Sequence, residues 1–349
     1  MKKRKIIKKT GIVVLTAASA MNAFCTYIFV KAFGRKKENS IISRKRKRSP
    51  REEKQAAFMQ EKKDWLDHLP FEELHIKSYD GLRLYGRLYL PQGSTRSDAH
   101  SKTMDVQASQ PCSNTDASSS NKTTIILCIH GYHSDGIGDF APFAPFYLKN
   151  KYIFCLVDDR AHGQSEGKYI GFGYHDRYDC LAWANELVRR FGNRCEIFLH
   201  GISMGAATVL SCCNAKQLPS QVKGIISDCA FSSGWEQVAH VMKSRLHLPA
   251  FPLLSVYNKV CQAMGGYNLK DISPVDCVKD SKVPILFIHG DEDHFVPTSM
   301  VYRLYHACKG HKQLLIVRGA AHAMSYLVDP KAYQQAFKDF IKRCSGSAS

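Results

Sequence analysis

The sequence predicts an α/β fold built on a mostly parallel, doubly wound sheet. Short, almost wholly apolar runs recur along the chain, as is typical of strands buried on both faces of a parallel sheet. Segments with helical apolar spacing separate these runs, and such alternation indicates a doubly wound architecture. The 349 residues suffice for one large domain or two ordinary ones.

The elements follow in order from an entry hairpin. Leu74–Ser78 and Leu82–Leu90 alternate between apolar and polar residues around a turn at Asp80-Gly81. The buried strands that follow are predicted at Thr124–Ile129, Tyr152–Val157, Glu196–Leu199, Val222–Ser227, Val283–Ile288 and Gln313–Val317. The helices are predicted at Pro142–Leu148, Arg177–Phe191, Ala206–Cys213, Ser299–Cys308 and Ala332–Lys342. Residues 231–275 interrupt this alternation of strands and helices, because they contain apolar side chains but no clear strand.

The positive charge of the chain is concentrated in its N-terminal part. The formal net charge is +18, but residues 1–60 hold 17 Lys and Arg against 3 Asp and Glu, whereas the other 289 residues hold 32 against 28. A protein that binds nucleic acid through its folded domain would show an excess of basic residues there. The composition therefore argues against a nucleic-acid partner.

Residues 10–30 form an uncharged run, TGIVVLTAASAMNAFCTYIFV. About 20 apolar residues are enough for a helix to span a bilayer core. We interpret the run as an uncleaved anchor, because its apolar character continues past the cleavage-like Ala18-Ser19-Ala20, the mark of the alternative, a removed signal peptide. The sequence thus predicts a single-pass protein of the cell membrane.

The orientation of that anchor follows from the flanking charges. Six Lys and Arg precede the run, and nine lie between Lys31 and Arg48. This excess favours a cytoplasmic location for the folded domain under the positive-inside tendency. The thirteen cysteines lack metal-binding C-x-x-C pairs and do not form an obvious disulfide framework, which agrees with that side. An extracellular domain behind a signal anchor is the alternative.

Two further segments are predicted to lie outside the folded core. Residues 35–66 are highly charged and are interpreted as a juxtamembrane linker, helical or loose. Residues 92–123 are rich in Ser, Thr, Asp and Asn and have no apolar period. Such a composition predicts a disordered surface insertion, which a fold tolerates at little cost in free energy.

A motif for nucleophilic catalysis lies between a predicted strand and a predicted helix. The stretch HGISMG places Ser203 two residues after Gly201 and two before Gly205. A G-x-S-x-G turn in this setting lifts a serine hydroxyl above the sheet edge, and the helix that follows directs N–H groups toward developing negative charge. The sequence therefore predicts Ser203 as a nucleophile. A glycine-rich turn with an idle serine is the alternative.

A serine nucleophile needs a base and a carboxylate that orients the base. His322 follows the last predicted strand, in RGAAHAMSY, and HGDEDHFVP after the preceding strand offers Asp291 and Asp293. The carboxyl ends of parallel strands meet at one edge, and the order Ser, Asp, His is that of such hydrolases. We predict Ser203, Asp293 and His322 as the catalytic set. Asp228 is the next candidate for the acid.

The end of the first long parallel strand, in HGYHSDG, is predicted to complete the site. The backbone N–H groups of Tyr132 and Met204 would form the oxyanion hole, in which each donor contributes about 10²–10³ in rate. Gly131 allows the backbone to pass close to the substrate, and we expect His130 beside it to contact the substrate as well. An ordinary strand-ending turn is the alternative for His130.

Five motifs together resemble the α/β-hydrolase superfamily: IHGYHSDG, DDRAHGQSEG, HGISMGAAT, IHGDEDHFVP and GAAHA. The resemblance is to bacterial membrane-anchored or exported serine hydrolases, either serine aminopeptidase-like or acyl-esterase-like. It implies an α/β-hydrolase fold over residues 67–345, preceded by a basic N-terminus and anchor in residues 1–34. It also implies that residues 231–275 form a cap. Apolar residues of the cap, such as Trp235 and Met242, are expected to contact the substrate, and the alternative is that they only bury the cap on the domain. Asp159-Arg160 and His162-Gly163 are expected to shape the wall of the site, in a structural rather than a catalytic role. Members with H-G-G-G differ from this chain, in which Tyr132 follows Gly131.

The main hypothesis is a serine hydrolase that cleaves a carboxylic ester or related acyl bond, with no cofactor and no metal. Peptide or thioester cleavage by the same residues, and a non-catalytic membrane-tethered binding protein, are the alternatives. A nucleotide-dependent oxidoreductase is a further alternative, because GIGDFA places Gly136, Gly138 and Ala141 in a G-x-G-x-x-A pattern with Asp158 about 20 residues later. Those glycines begin several residues after the strand, whereas a dinucleotide fingerprint begins directly at its end.

Overall fold

The computed structural model describes residues 19–35, 49–91 and 122–346. Its eight strands are β1 (Glu72–Lys77), β2 (Arg83–Tyr89), β3 (Thr123–Ile129), β4 (Ile153–Val157), β5 (Cys195–Ile202), β6 (Val222–Asp228), β7 (Ile285–Gly290) and β8 (Lys312–Val317). They form one sheet in the order β1-β2-β4-β3-β5-β6-β7-β8. β2 pairs antiparallel with β1 and β4, and the other neighbouring pairs are parallel. The predicted mostly parallel sheet is confirmed.

Helices cover both faces of the sheet and its carboxyl edge. They are α1 (residues 19–33), then α2 (Pro50–Asp67), α3 (Gly136–Phe140), α4 (Ala144–Lys149), α5 (Asp176–Phe191), α6 (Met204–Cys212), α7 (Gly234–Ser244), α8 (Leu253–Val260), α9 (Pro274–Cys277), α10 (Ser299–Ala307), α11 (Ser325–Val328) and α12 (Pro330–Gly346). A π-helical turn at Cys261–Gly265 and a 3₁₀ turn at Leu269–Asp271 follow α8. Residues 231–275, predicted as a cap, thus run as short helices between β6 and β7.

Side chains of the central strands alternate between two apolar cores. On β5, Ile197 and Leu199 join the core under α5, α6 and α10, whereas Phe198 and Ile202 join the core under α4 and α12. Both faces of each central strand are therefore buried, which explains why these strands are apolar at every position. The cysteines behave as small hydrophobic residues, because all twelve described ones are free thiols and ten of those are buried.

The N-terminal helix α1 packs on the domain. Its Cys25, Phe29 and Phe33 are buried in a third apolar core that also contains Phe172 and Tyr257. Beyond α1, the Arg35 N–H donates to Lys168 O at 2.9 Å, and the guanidinium of Arg35 donates to the carbonyls of Gly163 and Ser165. The end of α1 is therefore attached to the loop after β4.

The described residues do not support the spanning anchor predicted over residues 10–30. No helix in the described ranges is both long and apolar enough to cross a membrane. Within the predicted run, Cys25 and Phe29 are buried against protein. Residues 10–18 of the predicted anchor lie outside the described residues.

The other predicted segments are described in part. Within residues 35–66, interpreted as a linker, α2 begins at Pro50 and buries Leu66, and Asp67 at its end pairs with Arg87 at 2.8 Å. This part of the linker is therefore an element of the domain. The predicted insertion at residues 92–123 lies outside the described residues, apart from its last two positions, where β3 begins.

Candidate active site

Ser203 lies in a tight turn between β5 and α6. Its backbone has φ 56° and ψ −112°, a region that residues other than glycine rarely adopt. A Cβ at Gly201 would lie 2.3 Å from the Gly205 carbonyl oxygen, and a Cβ at Gly205 would lie 2.0 Å from the Ile129 carbonyl oxygen. The two glycines are therefore required because the turn passes against its own chain and against β3. The Ser203 N–H donates to Asp228 O at 2.8 Å, which ties the turn to β6.

The structure brings the three predicted catalytic side chains together in one chain of hydrogen bonds. The distance from Ser203 Oγ to His322 Nε2 is 2.8 Å, and the distance from His322 Nδ1 to Asp293 Oδ2 is 2.7 Å. Since Asp293 can only accept when ionised, His322 donates from Nδ1, and Nε2 is left to accept the serine proton. The side chain of Asp293 is fully buried, while that of His322 is 22% exposed. The geometry suits proton transfer from the serine.

The carboxylate of Asp293 is held by several donors. Its Oδ1 accepts from the N–H groups of Phe295 and Val296, both at 2.9 Å. His289 Nε2 lies 3.2 Å from Oδ2 and 2.9 Å from Val296 O. Burial opposes ionisation, but the hydrogen bonds from His289, His322 and Val296 outweigh it and lower the pKa of Asp293 below its usual range. Asp293 is thus an anion that fixes the orientation of His322.

The two rival acids have other partners. Asp291 Oδ1 accepts from the Gly319 N–H at 2.7 Å, which supports the loop after β8. Asp228 Oδ1 accepts from Ser325 Oγ at 3.3 Å, and burial raises the pKa of Asp228 to about 6. Of the three candidate carboxylates, Asp293 is the one that contacts His322.

The predicted oxyanion-hole residues lie beside Ser203. Tyr132 and Met204 line the same cavity as Ser203. Met204 is the first residue of α6, so its N–H has no acceptor within the helix. A Cβ at Gly131 would lie 3.3 Å from Ser203 Cβ, which shows how closely the backbone before Tyr132 approaches the serine. Asp139 holds that backbone, because its Oδ2 accepts from the Gly131 N–H at 2.7 Å.

An apolar cavity of about 120 Å³ opens on Ser203. Its walls come from three parts of the chain, namely α1, the cap and the loops at the carboxyl edge of the sheet. The lining residues are Ile28, Ala32, Phe33, Tyr132, Phe172, Ser203, Met204, Phe231, Gln237, Val238, Val241, Met242, Leu246, Tyr257, Phe295 and Val296. Gln237 is the one side-chain amide among them, and its nitrogen donates to Phe295 O at 2.8 Å. The cavity is therefore suited to an apolar group.

Two of the four predicted substrate-binding residues lie elsewhere. His130 is buried, with Nδ1 2.7 Å from Gly131 O and Nε2 accepting from the Asp159 N–H at 2.9 Å, so it braces two loops. Trp235 does not line the cavity, and Lys270 Nζ lies 4.9 Å from its ring centroid. Met242 lines the cavity. Gly131 lies beside the serine, as described above.

The sequence interpretation missed the residues that α1 contributes. Ile28, Ala32 and Phe33 form one wall of the cavity, and Ala32 O accepts from Tyr132 Oη and lies 2.9 Å from His133 Nε2. Ile28 belongs to the apolar run that was assigned to lipid, whereas Ala32 and Phe33 follow that run after Lys31. Nothing in the sequence there marks which face would contact protein. The predicted site loop after β4 is structural, because the buried Arg160 pairs with Asp179 and Asp80 at 2.6 and 2.9 Å.

Two other arrangements bear on cofactor binding. In the described residues, Cys229, Asp293 and His322 place one ligand atom each within 4.8 Å of one another. Asp293 and His322 are bonded to each other, and burial raises the pKa of Cys229 well above 9.0, so its thiol does not supply an anionic ligand. In the GIGDFA segment, Asp158 and Asp135 accept from the Gly136 and Gly138 N–H groups, which a dinucleotide phosphate would otherwise bind.

Comparisons with known proteins identify relatives of this chain. A family model described as serine aminopeptidase, S33, matches residues 120–273. A protein of Bacillus subtilis (strain 168), "Uncharacterized protein YqkD", is 31% identical over 224 residues, which cover 64% of this chain and 72% of that protein.

Solved structures share the fold. The Pyrococcus furiosus esterase Pf2001 is 20% identical, covers 79% of this chain and 91% of its own, and has a TM-score of 0.57. A DcsB complex with its substrate analogue is 14% identical over 80% of this chain and 100% of that chain, with a TM-score of 0.55. The Pyrococcus horikoshii acylaminoacyl peptidase is 18% identical over 80% of this chain but only 42% of its own, with a TM-score of 0.51. The chain therefore belongs to the α/β-hydrolase superfamily.

Proposed function

We propose that this protein is a serine hydrolase that cleaves a carboxylic ester with a compact apolar acyl group. The observation that carries the proposal is the hydrogen-bonded series from Ser203 through His322 to Asp293. A serine held by a histidine whose tautomer is fixed by a buried carboxylate is the arrangement that activates a hydroxyl for acyl transfer.

The reaction proceeds in two steps. Ser203 Oγ attacks the carbonyl carbon while His322 Nε2 takes the hydroxyl proton, and the N–H groups of Tyr132 and Met204 stabilise the oxyanion. His322 then donates that proton to the leaving alcohol, and an acyl-enzyme remains on Ser203. Water attacks the acyl-enzyme while His322 Nε2 takes one of its protons. His322 then returns that proton to Ser203 Oγ as the bond from Oγ to the acyl carbon breaks, which releases the acid and regenerates the free serine. Throughout, Asp293 stabilises the imidazolium as a hydrogen-bonded anion.

The cavity supports an apolar acyl group of limited size. Its volume of about 120 Å³ is comparable to the ~150 Å³ of an engineered apolar cavity that admits benzene. A chain of about six carbons is of this size. Among the described residues, those that line the cavity include no Asp or Glu to bind the α-ammonium group of a peptide. These features favour an ester over an aminopeptidase substrate.

Substitution of Ser203 tests the proposal. We expect Ser203→Ala in the full chain to abolish the hydrolysis of short p-nitrophenyl esters and labelling by a fluorophosphonate probe. Ser211→Ala is a matched control, because Ser211 is as buried as Ser203, at 7% exposure, and donates within α6 to Ala207 O at 2.8 Å. Equal hydrolysis and labelling by Ser203→Ala and the wild type would overturn the assignment.

Peptide cleavage is the second candidate, favoured by the family model described as serine aminopeptidase. A panel of ester, thioester and aminoacyl substrates, with Ser203→Ala as the blank, separates these activities. A protein inactive on all three and unlabelled by the probe would indicate a binding protein of the same fold. Localisation at the cell membrane stays a prediction, which fractionation of cells expressing the full chain tests.

A further inference from the structure

The outer face of α1 is apolar but contacts no other part of the described chain's core. Phe24, Tyr27 and Val30 lie on the side opposite Cys25 and Phe29, and Tyr27 is 58% exposed. A helix that is apolar all round normally has both sides covered, by protein or by lipid. Here the domain covers one side of α1, so the exposed apolar side chains on the other side are available to a partner.

A second exposed apolar segment lies beside α1. Between α7 and α8, Leu246 is exposed and Phe251 is 84% exposed, the highest value of any large apolar side chain in the described residues. α1 contacts this region, because Cys25 Sγ donates to Leu253 O, and Ile28 shares the cavity wall with Leu246. We define the docking face as Phe24, Tyr27, Val30, Leu246 and Phe251.

The docking face adjoins the mouth of the cavity above Ser203. Leu246 both lines the cavity and is exposed to solvent, so the opening lies at this side chain. Ile28 and Ala32 also line the cavity, and they belong to the same helix that presents Phe24 and Tyr27 outward. An apolar surface around the entrance of an apolar cavity is suited to a substrate that arrives from an apolar phase.

The two chain segments that contain the docking face carry basic residues and no acidic ones. Neither residues 1–35 nor residues 237–270 contain an Asp or Glu. Lys31, Lys243 and Arg245 are exposed among these apolar side chains, and residues 1–18 and 36–48 add thirteen Lys and Arg against one Glu. Interfacial helices bind membranes by combining a buried apolar face with attraction of Lys and Arg to anionic lipids.

We propose that the docking face lies in the surface of an anionic bilayer, with α1 parallel to the membrane plane rather than across it. Phe24, Tyr27 and Phe251 then enter the boundary between headgroups and acyl chains, while the basic residues contact lipid phosphates. With the proposed esterase function, on which this consequence rests, acyl esters dissolved in the bilayer reach Ser203 through the mouth at Leu246 without crossing water.

Vesicle flotation with the full chain tests the docking face. We expect the wild type to float with phosphatidylcholine vesicles that contain phosphatidylglycerol, and Phe24→Glu/Tyr27→Glu or Phe251→Glu to bind them about tenfold more weakly or worse. Tyr178→Glu is the matched control, because Tyr178 is exposed to a similar degree but packs against Tyr79 at the β1–β2 turn. Binding is also measured at roughly 1 M salt, where the screening length for charges falls to about 3 Å. At this salt concentration the attraction between basic residues and anionic lipids is not enough by itself to hold the protein on the vesicles.

Three results would overturn the proposal: no flotation of the wild type, equal flotation of the Phe24→Glu/Tyr27→Glu variant, or a change from dimer to monomer in that variant by sedimentation. The last result would show that a second copy of the chain covers the face. Ser203→Ala must float as the wild type does, and the Phe24→Glu/Tyr27→Glu variant must hydrolyse a soluble short ester at the wild-type rate. The outcome is therefore independent of whether the esterase assignment holds.

Discussion

The substitution Asp293→Asn has an outcome that follows from the hydrogen bonds around this carboxylate. Asp293 Oδ1 accepts from two backbone N–H groups at 2.9 Å, whereas Oδ2 faces His322 Nδ1 at 2.7 Å. An amide of the same shape must place its oxygen toward the two backbone N–H donors, because its NH₂ group can only donate and cannot accept from them. The NH₂ group then points at His322.

This orientation reverses the tautomer of His322. A donor at the Oδ2 position requires Nδ1 to accept, so the proton of the neutral imidazole moves to Nε2. A protonated Nε2 cannot take the proton of Ser203, from which it is 2.8 Å distant. In serine hydrolases the wrong tautomer lowers kcat about 10⁴-fold, which corresponds to about 5.4 kcal/mol of transition-state stabilisation.

Steady-state kinetics on a short p-nitrophenyl ester measure this effect. We expect kcat to fall about 10⁴-fold with little change in KM, because Asp293 does not line the cavity. Asp228→Asn is the matched control, because Asp228 is as buried as Asp293 but its carboxylate accepts from Ser325 and not from His322. The reasoning is refuted if Asp293→Asn keeps more than about a tenth of kcat or if Asp228→Asn loses as much activity.

Two further predictions concern the cavity wall and a buried histidine. Phe33→Ala removes a ring from the wall that α1 forms, so the ratio of kcat/KM for octanoyl esters to kcat/KM for butanoyl esters should rise roughly tenfold. Tyr27→Ala on the outer face is the control. An unchanged ratio for Phe33→Ala contradicts the role of α1 as a wall of the cavity. Burial lowers the pKa of His200 from 6.5 to about 3, so the unfolded chain binds a proton that the folded chain does not. Stability should therefore be complete above about pH 6.5 and fall as the pH drops toward 3, by at most about 1.4 kcal/mol per pH unit. His200→Gln should flatten this slope in urea unfolding, and an unaltered slope would count against the effect.

The residues of the site whose positions follow from their own turn or strand end were predictable from the sequence. The position of Ser203 follows from the two glycines, since either Cβ would lie within 2.3 Å of a carbonyl oxygen. Asp293 and His322 follow from the ends of β7 and β8, because parallel strands deliver their next residues to one edge. Each of these inferences uses only the turn or the strand in which the residue lies.

The contacts between distant segments were not predictable in this way. His130 and His200 both stand in motifs with catalytic neighbours, yet His130 braces two loops and His200 lies between the hydroxyls of Tyr147 and Tyr333 at 2.6 and 2.9 Å. The apolar periodicity of a sequence does not indicate which tyrosine or loop will contact a given histidine. The packing of α1 on the domain was missed for the same reason, because an apolar face meets lipid and protein with similar side chains.

The attachment of α1 limits what can be learned from shortened versions of this protein. A chain that begins after residue 35 would lose the wall formed by Ile28, Ala32 and Phe33, together with the acceptor for Tyr132 Oη at Ala32 O. Its reaction centre would be intact, but the open trough in place of the cavity would accept bulkier acids and discriminate among them less. Under the proposed function, selectivity would depend in part on residues that precede the segment matched by the family model, at 120–273. A substrate range inferred from that segment alone would apply to the open site without α1 and not to the cavity of the full chain.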